Sequence, residues 1–145
     1  MNVTIRQLTS VTAEVVTAVN RLLPQLSQRA LPADAGRLEK LIAHEDVFVL
    51  LAFADQAIAG MIQIASYPRA EGPAVWVDTL VVDEAYRGHG IAALLLNETL
   101  EIAKTQGWSE VKLTSRPERL AANKLYEKTG FERHHTNLWR YIFID

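Results

Sequence analysis

The sequence predicts an α+β fold, a mixed sheet covered by helices. Three observations carry this. Stretches with strand-like alternation or short apolar runs (residues 3–8, 47–53, 58–66 and 75–82) are interleaved with stretches of helical apolar spacing (12–23, 32–43 and 91–105). Turn and cap residues fall between them: Pro24, Asp55-Gln56, Gly107 and Gly130. Finally, 145 residues that are 49% apolar suffice for one domain with its own core.

In chain order, residues 3–8 alternate as a strand with one buried face. Residues 12–23 form a helix that Pro24 should stop, because proline cannot donate to the helical ladder. A second helix spans 32–43, with Leu38, Leu41 and Ile42 on one side. Residues 47–53 and 58–66 make a hairpin about Asp55-Gln56. A loop over 68–73 leads to a central strand at 75–82. The helix at 91–105 ends against Gly107, a left-handed cap. Residues 111–114 read as a short buried strand. Ser115-Arg116-Pro117-Glu118 fits a capping box that opens the last helix, with proline tolerated in its first turn. Gly130 closes that helix, and 131–133 with 138–144 make a terminal strand pair. No repeat, low-complexity tract or linker interrupts the chain, so residues 1–145 read as one domain.

Composition removes several classes of function. Fifteen Lys and Arg against 17 Asp and Glu give a formal charge of −2, which does not suit a nucleic-acid or anionic-membrane partner. The same balance argues mildly against a strongly anionic pocket for polycations. The absence of cysteine excludes disulfides, thiolate-ligated metal and a cysteine nucleophile. No leader pattern opens the chain, and the apolar run at 47–54 is too short to span a bilayer. A cytoplasmic protein without metal is the expectation.

The most informative segment is Arg87-Gly88-His89-Gly90-Ile91-Ala92, between the central strand and a helix. A helix start presents N–H groups with no intrahelical partner and the positive end of the dipole, which together suit a pyrophosphate. Gly88 and Gly90 let phosphate oxygens approach the backbone, and Arg87 adds a fixed charge with a donor fork. No Lys-Ser or Lys-Thr follows, so this is not the triphosphate loop, and the third glycine of the dinucleotide fingerprint is missing. Alone, the loop reads equally as a tight surface turn.

Its context is more specific. Residues 80–95 resemble the acyl-CoA-binding motif of the GNAT N-acetyltransferases, whose pattern of Arg or Gln, any two, Gly, any one, then Gly or Ala is filled by Arg87, Gly90 and Ala92. Nearer the C-terminus, Ala122-Asn123-Lys124-Leu125-Tyr126-Glu127-Lys128-Thr129-Gly130-Phe131 is similar to a second block of the same family. The detailed match covers about residues 74–132; the rest agrees in its order of elements. The resemblance implies a mixed, mostly antiparallel sheet flanked by helices. It also implies acetyl transfer from acetyl-CoA to an amine on a small molecule or a peptide.

The resemblance also assigns roles. Leu80, Val81 and Val82 would present backbone to the pantetheine arm, and Arg87, Gly88, His89, Gly90, Ile91 and Ala92 would hold the pyrophosphate. Asn123 would contact the arm, and Tyr126 would protonate the leaving thiolate, a phenol of reference pKa about 10 being able to do so. Asn123 lies one turn before Tyr126, which puts both on one helix face. Many members carry Asn seven residues before the tyrosine, where this chain has Arg119.

The base is Asp78, a carboxylate in an apolar strand, which alternation puts on one face with Trp76 and Leu80. An Asp78 hydrogen-bonded to neighbouring backbone or to an arginine is the competing reading. His134 and His135 are further candidates that also read as a solvated turn. His89 and His44 read as exposed loop residues. Trp76, Trp108 and Trp139 read as core, with the wall of an acceptor pocket as the alternative, and Asp83-Glu84 as a solvated turn. Without cysteine, direct attack of the amine in a ternary complex is expected. A silent acyl-CoA sensor or interaction domain is the rival reading, and a longer acyl group is not excluded. The edges of the last strands offer a surface for homodimer pairing.

Overall fold

A computed structural model describes residues 1–144, which fall into two compact units, Met1–Thr114 and the described residues from Ser115 onward. In the first, β1 (Val3–Gln7), β2 (Val47–Ala54), β3 (Ala57–Tyr67) and β4 (Ala74–Val82) form an antiparallel sheet in the order β1-β2-β3-β4. The register runs Leu50↔Ile62 between β2 and β3, and Ile64↔Val77 between β3 and β4. The sheet is antiparallel, with one parallel bridge from Trp76 to Lys112. That bridge is all the pairing found for the strand expected at 111–114, where the chain is otherwise irregular.

Helices α1 (Ala13–Leu26) and α2 (Ala35–Ala43) pack on one face of this sheet. Val15, Val19, Leu22 and Leu38 meet Val49, Leu51, Met61 and Val81 there. Leu22 is wholly buried, so its truncation to alanine would cost about 2–5 kcal/mol. On the opposite face, α3 (Ile91–Gln106) lies across all four strands. Its Leu95 comes so close to Gly60 that a Cβ on the glycine would stand 3.4 Å from the Leu95 Cδ1 and 3.0 Å from the Val81 carbonyl. The result is the expected layered α+β unit.

Local chemistry sets the helix ends. Thr12 caps α1 by accepting the Val15 N–H, and Asp34 caps α2 by accepting that of Arg37. Pro24 does not stop α1, which runs on to Leu26. The Ser27 N–H still bonds the Leu23 carbonyl, and the Arg21 carbonyl accepts from the Gln25 side chain. Helix α2 starts later than expected because Asp34 holds its first turn. The connection before it is clamped by Asn20, whose amide bonds both the carbonyl and the N–H of Ala33 at 2.8 Å. Gly107 takes the left-handed cap with φ +74.

In the second unit, α4 spans Leu120–Thr129 and closes at Gly130, φ +111, as expected. The capping box at Ser115 does not form. The helix begins after Arg119 with no side-chain cap, and the Ser115 Oγ is shielded from solvent without a partner among the described residues. Residues 131–144 contain no strand, contrary to the expected terminal pair. Their alternation is present, but no ladder satisfies their backbone, and Leu138, Trp139 and Phe143 are exposed. Trp139 is therefore not a core residue.

Candidate active site

Strand β4 brings the first group of predicted residues together. Its register slips between Met61 and Gln63 of β3, so that Asp78 faces Gln63 and Val81 faces Met61. Cross-strand partners share a face, and both pairs therefore point toward α1 and α2. The slip breaks simple alternation and takes Leu80 off the face of Asp78, contrary to the expected grouping. At the slip Thr79 holds φ +53, a left-handed conformation that is unfavourable for a β-branched residue and that collects at functional sites. Asp78 is exposed as a residue, yet partial desolvation pushes its carboxyl above the ordinary value.

The far edge of β4 is open over the same stretch. Val77 N–H bonds the Lys112 carbonyl, and Lys112 N–H bonds that of Val75. Beyond Val77 no residue of β4 is paired on that side among the described residues. Leu80, Val81 and Val82 thus lie beside an unpaired sheet edge.

Asp83 ends the strand, and it is not the solvated residue that the sequence suggests. It is 6% exposed. Its carboxylate accepts from Arg21 Nε at 2.9 Å, from Gln25 Nε2 and from the Ala85 N–H. Burial alone would raise its pKa, but these hydrogen bonds and the Arg21 charge outweigh it and hold the carboxyl below its usual value. Arg21 also donates to the Ile58 carbonyl, and Gln25 accepts the Glu84 N–H. The loop after β4 is thereby tied to α1.

A short 3-10 turn, Glu84–Tyr86, leads into the glycine loop. Gly88 and Gly90 hold φ +84 and +75, and a Cβ at either would meet open space. The N–H groups of residues 88–93 have no acceptor among the described residues. Six consecutive free donors at the start of a 16-residue helix form a cradle for an anion. Ile91 is buried and roots the helix, while Ala92 is half-buried and His89 exposed. Arg87 bonds the Val82 carbonyl through Nε at 3.1 Å, which leaves its terminal amino groups free beside the cradle.

In the second unit, Tyr126 is buried on α4 with its ring edge-on to Phe131, centroids 6.1 Å apart. Burial raises its pKa and the Arg119 charge opposes this weakly, so the phenol keeps its proton. Its hydroxyl makes no hydrogen bond among the described residues. Asn123 spends its side-chain N–H on the Arg116 carbonyl, 3.0 Å, and on that of Pro117, which holds the turn before α4. His134 and His135 are exposed.

The sequence reading missed a cavity of about 530 Å³ between the two N-terminal helices and the sheet. Val19, Leu23, Leu38, Leu41 and Met61 form its apolar wall, with Gln63 and Thr79 on the sheet side. Arg37, Lys40 and His44 of the second helix also line it. Their spacing of three and four residues was the only signal available in the sequence. None of the three tryptophans lines this cavity. Trp108 packs edge-on against Phe48, and Lys112 lies over the half-buried Trp76.

Comparison with known proteins gives a consistent picture. Residues 14–131 match the model of the acetyltransferase (GNAT) family. The chain is 43% identical to N-acetyltransferase 8B of Homo sapiens over 54 residues, 37% of this chain and 24% of that protein. It is 36% identical to N-acetylaspartate synthetase of Danio rerio over 70 residues, 48% of this chain and 25% of that protein. The match thus spans about a quarter of each relative. Among solved structures, AAC(6')-Iy in complex with the bisubstrate analog CoA-S-monomethyl-acetylneamine superposes with a TM-score of 0.78. It is 19% identical, and the match covers 99% of this chain and 100% of that one. Among the described residues no helix is long and apolar enough to cross a membrane.

Proposed function

The chain belongs to the acetyltransferase (GNAT) family, and from that premise we propose that it transfers an acetyl group from acetyl-CoA to a primary amine by direct attack in a ternary complex. The observation that carries this reading is the run of six free N–H groups over residues 88–93, set directly after the open edge of β4. An anion-binding cradle beside an unpaired strand edge fits a ligand with a pyrophosphate at one end and an amide-bearing arm along its length.

Acetyl-CoA supplies an activated thioester; the remaining work falls to the chain. The loop N–H groups and Arg87 hold the pyrophosphate. The backbone of Val81 and Val82 pairs with the arm as an added strand would, and an N–H on that edge stabilises the carbonyl oxygen as negative charge builds on it. Asp78 takes a proton from the attacking amine, directly or through water. Its raised pKa brings it closer to that task than an ordinary carboxylate. Tyr126, kept protonated by burial, gives its proton to the departing sulfur. The amine loses one proton, the thiolate gains one, and the acetyl group changes partners. Asn123 fixes the turn before α4 through its side-chain N–H, which leaves its amide oxygen for the pantetheine arm. One matched relative is named for an acetylated amino acid, which supports an amine acceptor here.

The test is free-thiol release from acetyl-CoA across a panel of amines and peptides, with acetyl-CoA binding measured in parallel. Release that depends on an amine is expected. Tight binding without release to any acceptor would favour the sensor reading instead.

A further inference from the structure

We propose that the cavity beneath α2 takes the acceptor, and that this acceptor is an amine carrying a carboxylate on an apolar body. The proposal rests on the acetyltransferase reading and adds the class of acceptor. At about 530 Å³ the cavity falls in the range of small-molecule sites.

Its charge has one sign. Arg37 and Lys40 line it, beside His44, and no acidic side chain does among the described residues. Neither Arg37 nor Lys40 has a carboxylate within ion-pair distance among the described residues. Arg37 is held in place by its bond to the Leu31 carbonyl at 3.1 Å, which leaves most of its donor fork free. Two unpaired cations beside an apolar wall match a ligand with one anionic end and an apolar body. They oppose a polycationic amine.

The sheet side of the cavity places the other end of such a ligand. Gln63 and Thr79 lie there. Gln63 is the cross-strand partner of Asp78, and Thr79 follows Asp78 in the strand with its unfavourable φ. A ligand whose carboxylate meets Arg37 and Lys40 therefore runs along the apolar wall toward the face that carries Asp78. The carboxylate fixes orientation, and the amine is the end left for the base.

The test compares L-phenylalanine with L-phenylalanine amide, and neamine as a polycation, in thiol release from acetyl-CoA. Calorimetry of N-acetyl-L-phenylalanine against its amide reads the same preference without turnover. The acid should exceed the amide about ten- to a hundredfold in kcat/KM or affinity, the scale of charge-assisted hydrogen bonds. Lys40→Gln should reduce that preference, and Arg37→Gln with Lys40→Gln should abolish it. The Lys40 side chain is exposed and makes no hydrogen bond among the described residues, so its variant keeps the fold. An equal or better amide, a preference for neamine, or a preference that survives the double variant would overturn the proposal. So would failure of every acid to bind or react while acetyl-CoA still binds. Failure of acetyl-CoA itself to bind would instead overturn the acetyltransferase reading.

Discussion

The loop after β4 and the cavity beneath α2 are made of different materials. The loop offers backbone: six free N–H groups, two left-handed glycines and one arginine, all within seven residues. The cavity offers side chains, gathered from α1, the connection to α2, α2 itself and two strands. Backbone presented by a fixed turn binds what every member of a family shares. A wall of side chains can be rewritten residue by residue without disturbing the sheet. The difference teaches where a common co-substrate and a particular acceptor should be sought.

The largest effect expected is on turnover alone. Tyr126→Phe keeps the ring against Phe131 and removes the proton donor. Its kcat should fall about 10²-fold or more, while acetyl-CoA affinity stays within a few-fold. Comparable turnover in the variant would remove the acid role.

Asp78→Asn comes next and separates chemistry from stability. Burial raises the Asp78 pKa, so the folded state bears a small cost once the group ionises, and the cost shrinks as pH falls through the raised value and is gone below the ordinary one. The neutral amide should leave the melting temperature unchanged or slightly higher. The rate should fall mainly near neutrality and less at high pH, where free amine is abundant. An equal loss at every pH would mark Asp78 as structural.

Asn20→Ala probes the cavity wall through its support. Two buried backbone groups of Ala33 would lose their partners, at a cost of about 1–3 kcal/mol. KM for the acceptor should rise while affinity for acetyl-CoA holds, since the connection that Asn20 clamps lines only the cavity. A parallel loss of both would mean that the two regions are not separable.

The smallest effect belongs to the loop's anchor. The folded pKa of Asp83 is depressed, so its stabilisation is present above the ordinary carboxylate range and is lost as pH falls through the folded value. Asp83→Asn should lower the melting temperature at pH 7 by a few degrees, consistent with about 1 kcal/mol for a domain of this size. The gap to wild type should close in acid. A gap independent of pH would contradict the charged role.

The same contrast explains what could be read in the sequence. Gly107 and Gly130 are local devices, and each caps its helix where it was expected, while Gly88 and Gly90 take left-handed angles. Pro24 failed as a stop because the helical ladder resumes past it, with the Ser27 N–H on the Leu23 carbonyl. Asp83 looked solvated because Arg21, which defines it, lies 62 residues away in sequence. The slip in β4 was invisible to alternation, because register belongs to a pair of strands rather than to one. His44 is exposed, as expected, and only its neighbours in space put it at the rim of the cavity. Residues 131–144 have the alternation of strands, but a strand needs a partner edge that alternation cannot supply.

The central claim is that the loop after β4 holds acetyl-CoA, and calorimetric titration tests it most directly. Wild type should bind one acetyl-CoA per chain. At one hundred times the dissociation constant, the ligand should stabilise the fold by about 2.7 kcal/mol. Gly90→Val places a side chain in the open space of the cradle, at a φ of +75 that disfavours it. That variant should unfold cooperatively at a somewhat lower temperature and give no binding heat. Absence of binding to wild type, or equal affinity in the two proteins, would contradict the claim.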